Sequence, residues 1–241
     1  ASLTGSAMAA TRSLHARSLS PKPGSSKGQL KVAKFPWPDP AKIASAGAAV
    51  STVDRPLWRL HTPTGDYPLR WNELRSHGPL ASARFDPWQP PAGDRDADPV
   101  TTGVGYFAFD LPACLCEPFQ TRRVVDRGGG VQLTAFEPTR PLHLLDLRGG
   151  WPIAIGASHL INSGPKDRCR AWARAIRSVH PGHDGLIYTG MAGRSCVALY
   201  APPGNVFPAL PAFTKPLADP GLDPYIASAA EQIGYGVRPP P

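Results

Sequence analysis

Residues 104–109, Val-Gly-Tyr-Phe-Ala-Phe, narrow the possible folds more than any other stretch of this chain. They are apolar, aromatic-rich and bounded by Gly103 and Asp110, which is the length and composition of a buried strand. Asp110 is a good helix N-cap, and Pro112 is tolerated in a first helical turn, so a short helix is expected to follow directly. Ala113, Leu115 and Cys116 supply its apolar face. Glu117 is the only charge between Asp110 and Arg122. A carboxylate buried in such a run without a partner costs free energy. Two readings follow: a structural carboxylate that lies at the helix rim or pairs with an arginine, or a carboxylate that faces a ligand. Because the residue before a proline avoids helical geometry, Pro118 predicts that the helix ends at Glu117 or restarts after it.

The rest of the chain reads as mixed strands and helices, an α+β pattern. Leu57–His61 alternates, with Trp58 and Leu60 on one face and Arg59 on the other. Residues 67–75 read as an irregular or edge segment. Residues 83–88 carry Arg84 and end at prolines, and 89–99 read as a polar loop. Strands are expected over 131–136, 142–147, 185–188 and 196–200, with a short helix starting near 157–161. The clearest helix is 167–180, where Trp172, Ile176 and Val179 recur at helical spacing opposite an arginine-rich face. Asp223-Pro224 opens a further helix that Gly234 stops. Residues 202–220 read as proline-rich coil.

The 241 residues suffice for one domain with extensions. The expected organisation is a basic, Pro/Ser/Ala-rich arm over 1–53 with a possible tag scar at 1–7, a folded domain over 54–205, and a Pro-rich extension with a short helix over 206–241. The formal net charge of +8 is uneven: six of the 26 Lys/Arg lie in residues 1–38 with no acid, leaving 20 against 18 acidic residues. The basicity thus belongs to a tail and is poor evidence that the folded domain binds nucleic acid. Within that tail Phe35 and Trp37 predict an anchoring segment over 34–38. The four cysteines have no zinc spacing and read as buried free thiols, which suits a reducing cytoplasm. No apolar run reaches the ~20 residues of a membrane span.

Four residues carry the chemistry. Arginines on separate segments, Arg59 and Arg84, can clamp phosphates with paired hydrogen bonds. Tyr106 can stack on a flat heterocycle. Glu117 can hold ribose hydroxyls or stabilise positive charge developing on a sugar carbon. Together these roles describe cleavage of the nicotinamide–ribose bond of NAD. Singly each is weak: a strand arginine is more often structural, and Tyr106 beside Phe107 could be core. Gly103-Val-Gly105 lacks the third glycine of a dinucleotide fingerprint, and the chain has no P-loop, GxSxG or HExxH motif.

The order of the blocks RPLWRLHT, ARFDP, GVGYFAFDLPACLCEPFQ, LHLLDL, WPIAIGAS, RAWARAI and DGLIYTG, followed by CVALY, resembles the RES-domain family across residues 54–201. The resemblance implies an ADP-ribosyltransferase-like mixed β core with flanking helices. It implies NAD as the substrate, no metal, and a cytoplasmic toxin of a bacterial toxin–antitoxin pair that hydrolyses or phosphorolyses NAD. The alternatives are transfer of ADP-ribose to a protein, or a non-enzymatic, basic-tailed protein that binds nucleic acid. The implied catalytic residues are Arg59, Tyr106 and Glu117, and the implied NAD-binding residues are Arg59, Arg84, Tyr106, Glu117 and Gly190. The implied partner is an Xre-family antitoxin that plugs the site, in a hetero-oligomer or beside a homodimer, with nucleic acid reached only through the antitoxin. Two positions depart from the pattern. The family's serine, two residues after the late-strand tyrosine, falls on Gly190, where neighbouring Thr189 or Ser195 or a backbone N–H would substitute, with Ser158 a second candidate for a local polar role. The aromatic that often follows the first arginine is Leu60.

Overall fold

The frame is an eight-stranded sheet built on the strand read first. A computed structural model describes residues 34–88, 103–200, 204 and 206–240. In chain order the strands are β1 (Val50–Val53), β2 (Leu57–His61), β3 (Val104–Ala108), β4 (Val124–Asp126), β5 (Gln132–Phe136), β6 (Leu142–Asp146), β7 (Gly185–Thr189), β8 (Ser195–Tyr200), β9 (Phe213–Pro216) and β10 (Gly236–Arg238). The helices are α1 (Pro40–Ser45), α2 (Leu111–Phe119), α3 (Trp151–Ala154), α4 (Lys166–Val179) and α5 (Asp223–Ile233).

The sheet order is β1-β6-β7-β8-β3-β2-β5-β9, and β10 pairs with β4 apart from it. Every neighbour in the large sheet is antiparallel except β6 and β7. A parallel pair needs a long crossover, and α3 and α4 supply it. The α+β class and the mixed sheet with flanking helices are as expected from the sequence.

Strand alternation sends side chains to two cores. On one face Val104, Ala108, Leu133, Leu145, Leu186 and Ala198 pack with residues of α2, α4 and α5. On the other, Leu57, Phe107, Phe136, Leu144, Val197 and Leu199 pack with Leu74, and Trp71 and Phe207 lie against them. That second cover is largely irregular chain, so its backbone polar groups need partners from outside regular structure.

Some sequence expectations need correction. The arm expected over 1–53 contains α1, capped by Asp39, and the edge strand β1. The coil expected over 202–220 contains the opposite edge strand, β9, which pairs with β5. Both are four-residue strands whose pattern is too short to stand out from loop. In the segment 34–38, Phe35 is buried and stacks on Trp172, whereas Trp37 stays 58% exposed beneath Arg168. Helix α2 does not stop at Glu117: it runs through Pro118 to Phe119. Burial of Pro112 through Cys116 outweighs the local preference of the residue before proline, and the Gln120 side-chain amide donates to the Glu117 carbonyl at 2.9 Å. The loop expected over 89–99 and the proposed scar at 1–7 lie outside the described residues.

The short helix expected near 157–161 is a three-residue 3-10 turn, His159–Ile161, and β4, α3 and β10 have no counterpart in the sequence reading, whereas the boundaries of β5 to β8, α4 and α5 match closely. Asp110 caps α2 through a 2.8 Å bond from the Ala113 N–H. Gly234 ends α5 in the left-handed region at φ 68°, a conformation that costs a residue with a Cβ. All four cysteines are free and buried, and burial pushes the Cys114 thiol up to about 12. No described helix is long and apolar enough to cross a membrane.

Candidate active site

Helix α2 lies against the sheet so that Glu117, in its last turn, stands where three hollows meet. The first, about 100 Å³, lies over β3 and is lined by Tyr106, Cys114 and Tyr188. The second, about 360 Å³, is lined by Arg75, Arg84, Gln120 and Lys166. The third, also about 360 Å³, is lined by Arg84, Arg148, His159 and Gly190. Glu117 and Tyr188 border all three. Among the described residues Glu117 is the only carboxylate in these linings, and it faces several cations.

The Glu117 carboxylate is seated on backbone. Its Oε1 accepts a 2.8 Å bond from the Met191 N–H. Gly190 makes this approach possible: a Cβ there would lie 2.6 Å from Glu117 Oε1 and 2.8 Å from Cys196 Sγ. With φ −80° and ψ −170°, Gly190 is extended, so close approach rather than unusual backbone geometry explains the glycine. The loop behind it is tight. The Gly190 N–H donates to the Arg194 carbonyl at 2.7 Å, and Ala192 sits at φ 57°, a left-handed conformation that costs an alanine on the order of 1 kcal/mol.

Tyr106 is held from behind. Its hydroxyl donates to Asp86 Oδ1 at 2.9 Å and accepts from the Phe85 N–H at 3.0 Å. Burial, with Asp86 alongside, keeps this phenol protonated. Asp86 is itself fully buried, paired with Arg75 at 2.6 Å and bonded by the Leu80 N–H at 2.7 Å. A buried carboxylate needs such company. The second face-lining tyrosine, Tyr188, packs its ring 4.6 Å from that of Phe85, centroid to centroid.

Arg84 projects between the second and third hollows. Its Nη1 donates to the Gly164 carbonyl at 2.6 Å and lies 3.5 Å from Cys169 Sγ, and it makes no ion pair among the described residues. Tyr106, Glu117, Arg84 and Gly190 are therefore brought together around one cleft.

Arg59 borders the first hollow by its place on β2, but its guanidinium is spent elsewhere. Strand parity sends the guanidinium to the opposite face, with Leu57 and Phe107, where it sits 5.2 Å over the Phe107 ring. There Nη1 donates to the carbonyls of Arg70 (3.2 Å), Trp71 (2.9 Å) and Glu73 (2.6 Å). Residue 59 is 5% exposed, and burial lowers its pKa to about 10. The segment it holds is largely irregular and has no ladder to satisfy its carbonyls, so a many-donor side chain does so. The same spacing that put Trp58 and Leu60 on one face already placed Arg59 away from them.

Two of the candidate hydroxyls in place of a serine at 190 also have occupations. Ser195 Oγ accepts from Arg148 Nη1 at 3.2 Å and Ser158 Oγ caps the Leu160 N–H at 3.2 Å, whereas the bond at Thr189 is from its backbone N–H to Asn162 Oδ1 at 3.1 Å. Sequence reasoning missed Asp86, Tyr188, Arg148 and Lys166 as neighbours of the site. Asp86 had a signal, since a lone acid between Phe85 and Pro87 must find a cation if buried. The others depend on which strand ends and loops converge. Among the described residues no group of three or more His, Cys, Asp or Glu is placed to hold a metal ion.

A family profile described as the RES domain matches residues 56–217. A chain of the crystal structure of the M. tuberculosis MbcT–MbcA toxin–antitoxin complex has a similar fold, with a TM-score of 0.51 and 16% sequence identity over 78% of this chain and 96% of that one. No curated protein matches this chain.

Proposed function

The chain belongs to the RES domain family, and from that premise we propose that it cleaves the nicotinamide–ribose bond of NAD and acts as the toxin of a toxin–antitoxin pair. The observation that carries this reading is Glu117, seated on the Met191 N–H at the junction of three hollows whose linings include Tyr106, Tyr188 and several cations and, among the described residues, no other carboxylate. A fixed carboxylate in that setting favours a positive charge beside it more than water does. Departure of nicotinamide creates such a charge on the ribose C1′–O4′ unit.

In the proposed reaction the C1′–N bond breaks and its electron pair goes to the ring nitrogen, which leaves as neutral nicotinamide. Glu117 steadies the oxocarbenium-like sugar and holds the ribose hydroxyls. Tyr106, fixed by Asp86 and Phe85, packs against the departing ring. Arg84 holds a phosphate of the dinucleotide. An oxygen of water or of phosphate bonds C1′, and with water a proton passes to solvent. An acidic segment of an antitoxin, Xre-type by family resemblance, would block the cleft by presenting a carboxylate to Arg84 in place of phosphate.

The test is purified protein incubated with NAD, with and without inorganic phosphate, followed by chromatography. Free nicotinamide is expected, and the product beside it distinguishes water from phosphate as acceptor. Label from ADP-ribose retained on a protein band would replace this reading with protein ADP-ribosylation. Intact NAD with antitoxin-free protein would overturn it.

A further inference from the structure

The third hollow contains a cation that the proposed chemistry has not yet used. Arg148 leaves β6 two residues after Asp146, and its guanidinium is held in place: Nε and Nη2 donate to the two Asp146 oxygens at 2.9 and 2.6 Å, Nη2 also reaches Ser51 Oγ at 3.3 Å, and Nη1 reaches Ser195 Oγ at 3.2 Å. Four of its five donors are thus engaged, and the remaining Nη1 hydrogen belongs to a group that lines the hollow. Asp146, which neutralises it, does not line the hollow, whereas Arg84 and His159 do. The rim of that hollow is also anchored. Asn162 Nδ2 donates to the Leu147 carbonyl at 2.8 Å while its Oδ1 accepts from Thr189, tying the 158–164 segment to the strand ends.

We propose that Arg148, with Arg84 and the exposed His159, forms an anion subsite that takes a phosphoryl group beside Glu117. The group is either the pyrophosphate bridge of a bound dinucleotide or a free phosphate. This assignment rests on the NAD-cleaving reading for its biological meaning, but not for its binding chemistry. A guanidinium already fixed by other bonds loses little freedom when it adds one more to a phosphoryl oxygen, which makes it suited to positioning.

The experiment is isothermal titration of sodium pyrophosphate and, separately, inorganic phosphate into the full chain and into Arg148→Gln, Arg148→Lys and His159→Ala. Loss of one charge-assisted bond weakens binding by about tenfold to hundredfold, so Arg148→Gln should bind pyrophosphate at least tenfold more weakly, and Arg148→Lys, which keeps the charge but not the fixed fork of donors, should fall between it and the native chain. Because Arg148→Gln removes the partner of Asp146, its thermal melt is recorded alongside. His159, exposed and outside that ion pair, gives a second comparison, with a loss of about threefold expected. A preference for pyrophosphate assigns the subsite to the dinucleotide bridge, and equal affinity assigns it to a single phosphoryl group. No binding by the native chain, or equal affinity in native protein and folded Arg148→Gln, overturns the subsite. If pyrophosphate binding depends on Arg148 while NAD stays intact, the subsite stands and the reaction assigned above falls. The reverse pattern removes the subsite alone.

Discussion

Arg59 and Arg84 are the same residue type, both close to the sheet, and they have different work because they serve opposite faces. Arg59 spends its guanidinium on three carbonyls of an irregular segment, over an aromatic ring, almost out of solvent. Arg84 makes one carbonyl bond and borders two hollows beside Glu117. One arginine completes a core, and the other is available to a ligand. The difference shows that an arginine's role follows from which face of the sheet its guanidinium reaches.

The largest expected effect lies on the α2 face. Replacing Glu117 with Gln should lower nicotinamide release by about 10²–10³, the usual loss when a fixed electrostatic stabiliser is removed. The half-buried side chain makes one bond to the Met191 N–H, so the thermal midpoint should move little. A variant that melts normally and turns over at the native rate would erase the distinction between the faces.

On the opposite face the signature should invert. Arg59→Ala leaves the part-buried carbonyls of Trp71 and Glu73 short of this donor, while the Arg70 carbonyl keeps the Glu73 N–H at 3.2 Å, and each unsatisfied group costs ~1–3 kcal/mol before water enters. A loss of about 3 kcal/mol or more in urea unfolding is expected, with turnover per folded molecule changing far less. A stable Arg59→Ala protein that has lost NAD turnover would move Arg59 back into the site.

Gly190→Ala sharpens the comparison from the loop side. The added Cβ would meet Glu117 Oε1 at 2.6 Å, so the carboxylate must leave its seat on Met191. A displacement of this order costs about tenfold to hundredfold in rate, and it should appear in kcat more than in KM. An unchanged kcat would mean that the seat does not matter.

The smallest effect concerns Asp146. Burial works to raise its pKa, but bonds from Arg148 and Ser51 outweigh this and leave it at about 2, against an ordinary 3.8. A carboxylate with a depressed folded pKa contributes stability that is fully present above about pH 4 and is lost as pH falls toward 2. Native protein and Asp146→Asn should therefore differ in melting temperature at pH 5 and converge as pH approaches 2. A constant gap across that range would show that the Arg148 pair is not charge-dependent.

The parts of this molecule that were legible in the sequence are those set by local rules. The strand at 104–108, the Asp110 cap, the α4 stripe and the Gly234 stop each follow from a few adjacent residues. The short edge strands β1 and β9 were not legible, because four residues that pair with distant β6 and β5 carry little pattern of their own. Within the site, Tyr106, Glu117 and Arg84 were singled out and share a cleft. Arg59 borders the first hollow of that cleft, while strand parity, already readable from Trp58 and Leu60, turns its guanidinium to the other face. Arg148 and Tyr188 meet the cleft only through the crossover and the sheet order, which no local spacing encodes, whereas Asp86 carries the local signal of a lone acid between Phe85 and Pro87.

The most direct test of the two-face account is hydrogen–deuterium exchange on the full chain with and without a non-cleavable NAD analogue. Slower exchange is expected in peptides covering residues 111–121, 158–166 and 188–194, which border the three hollows, with no change in 66–76 beyond the Arg75 end. Protection confined to 66–74, where Arg59 is spent, with 111–121 and 188–194 unaffected, would place the ligand on the wrong face and contradict the account.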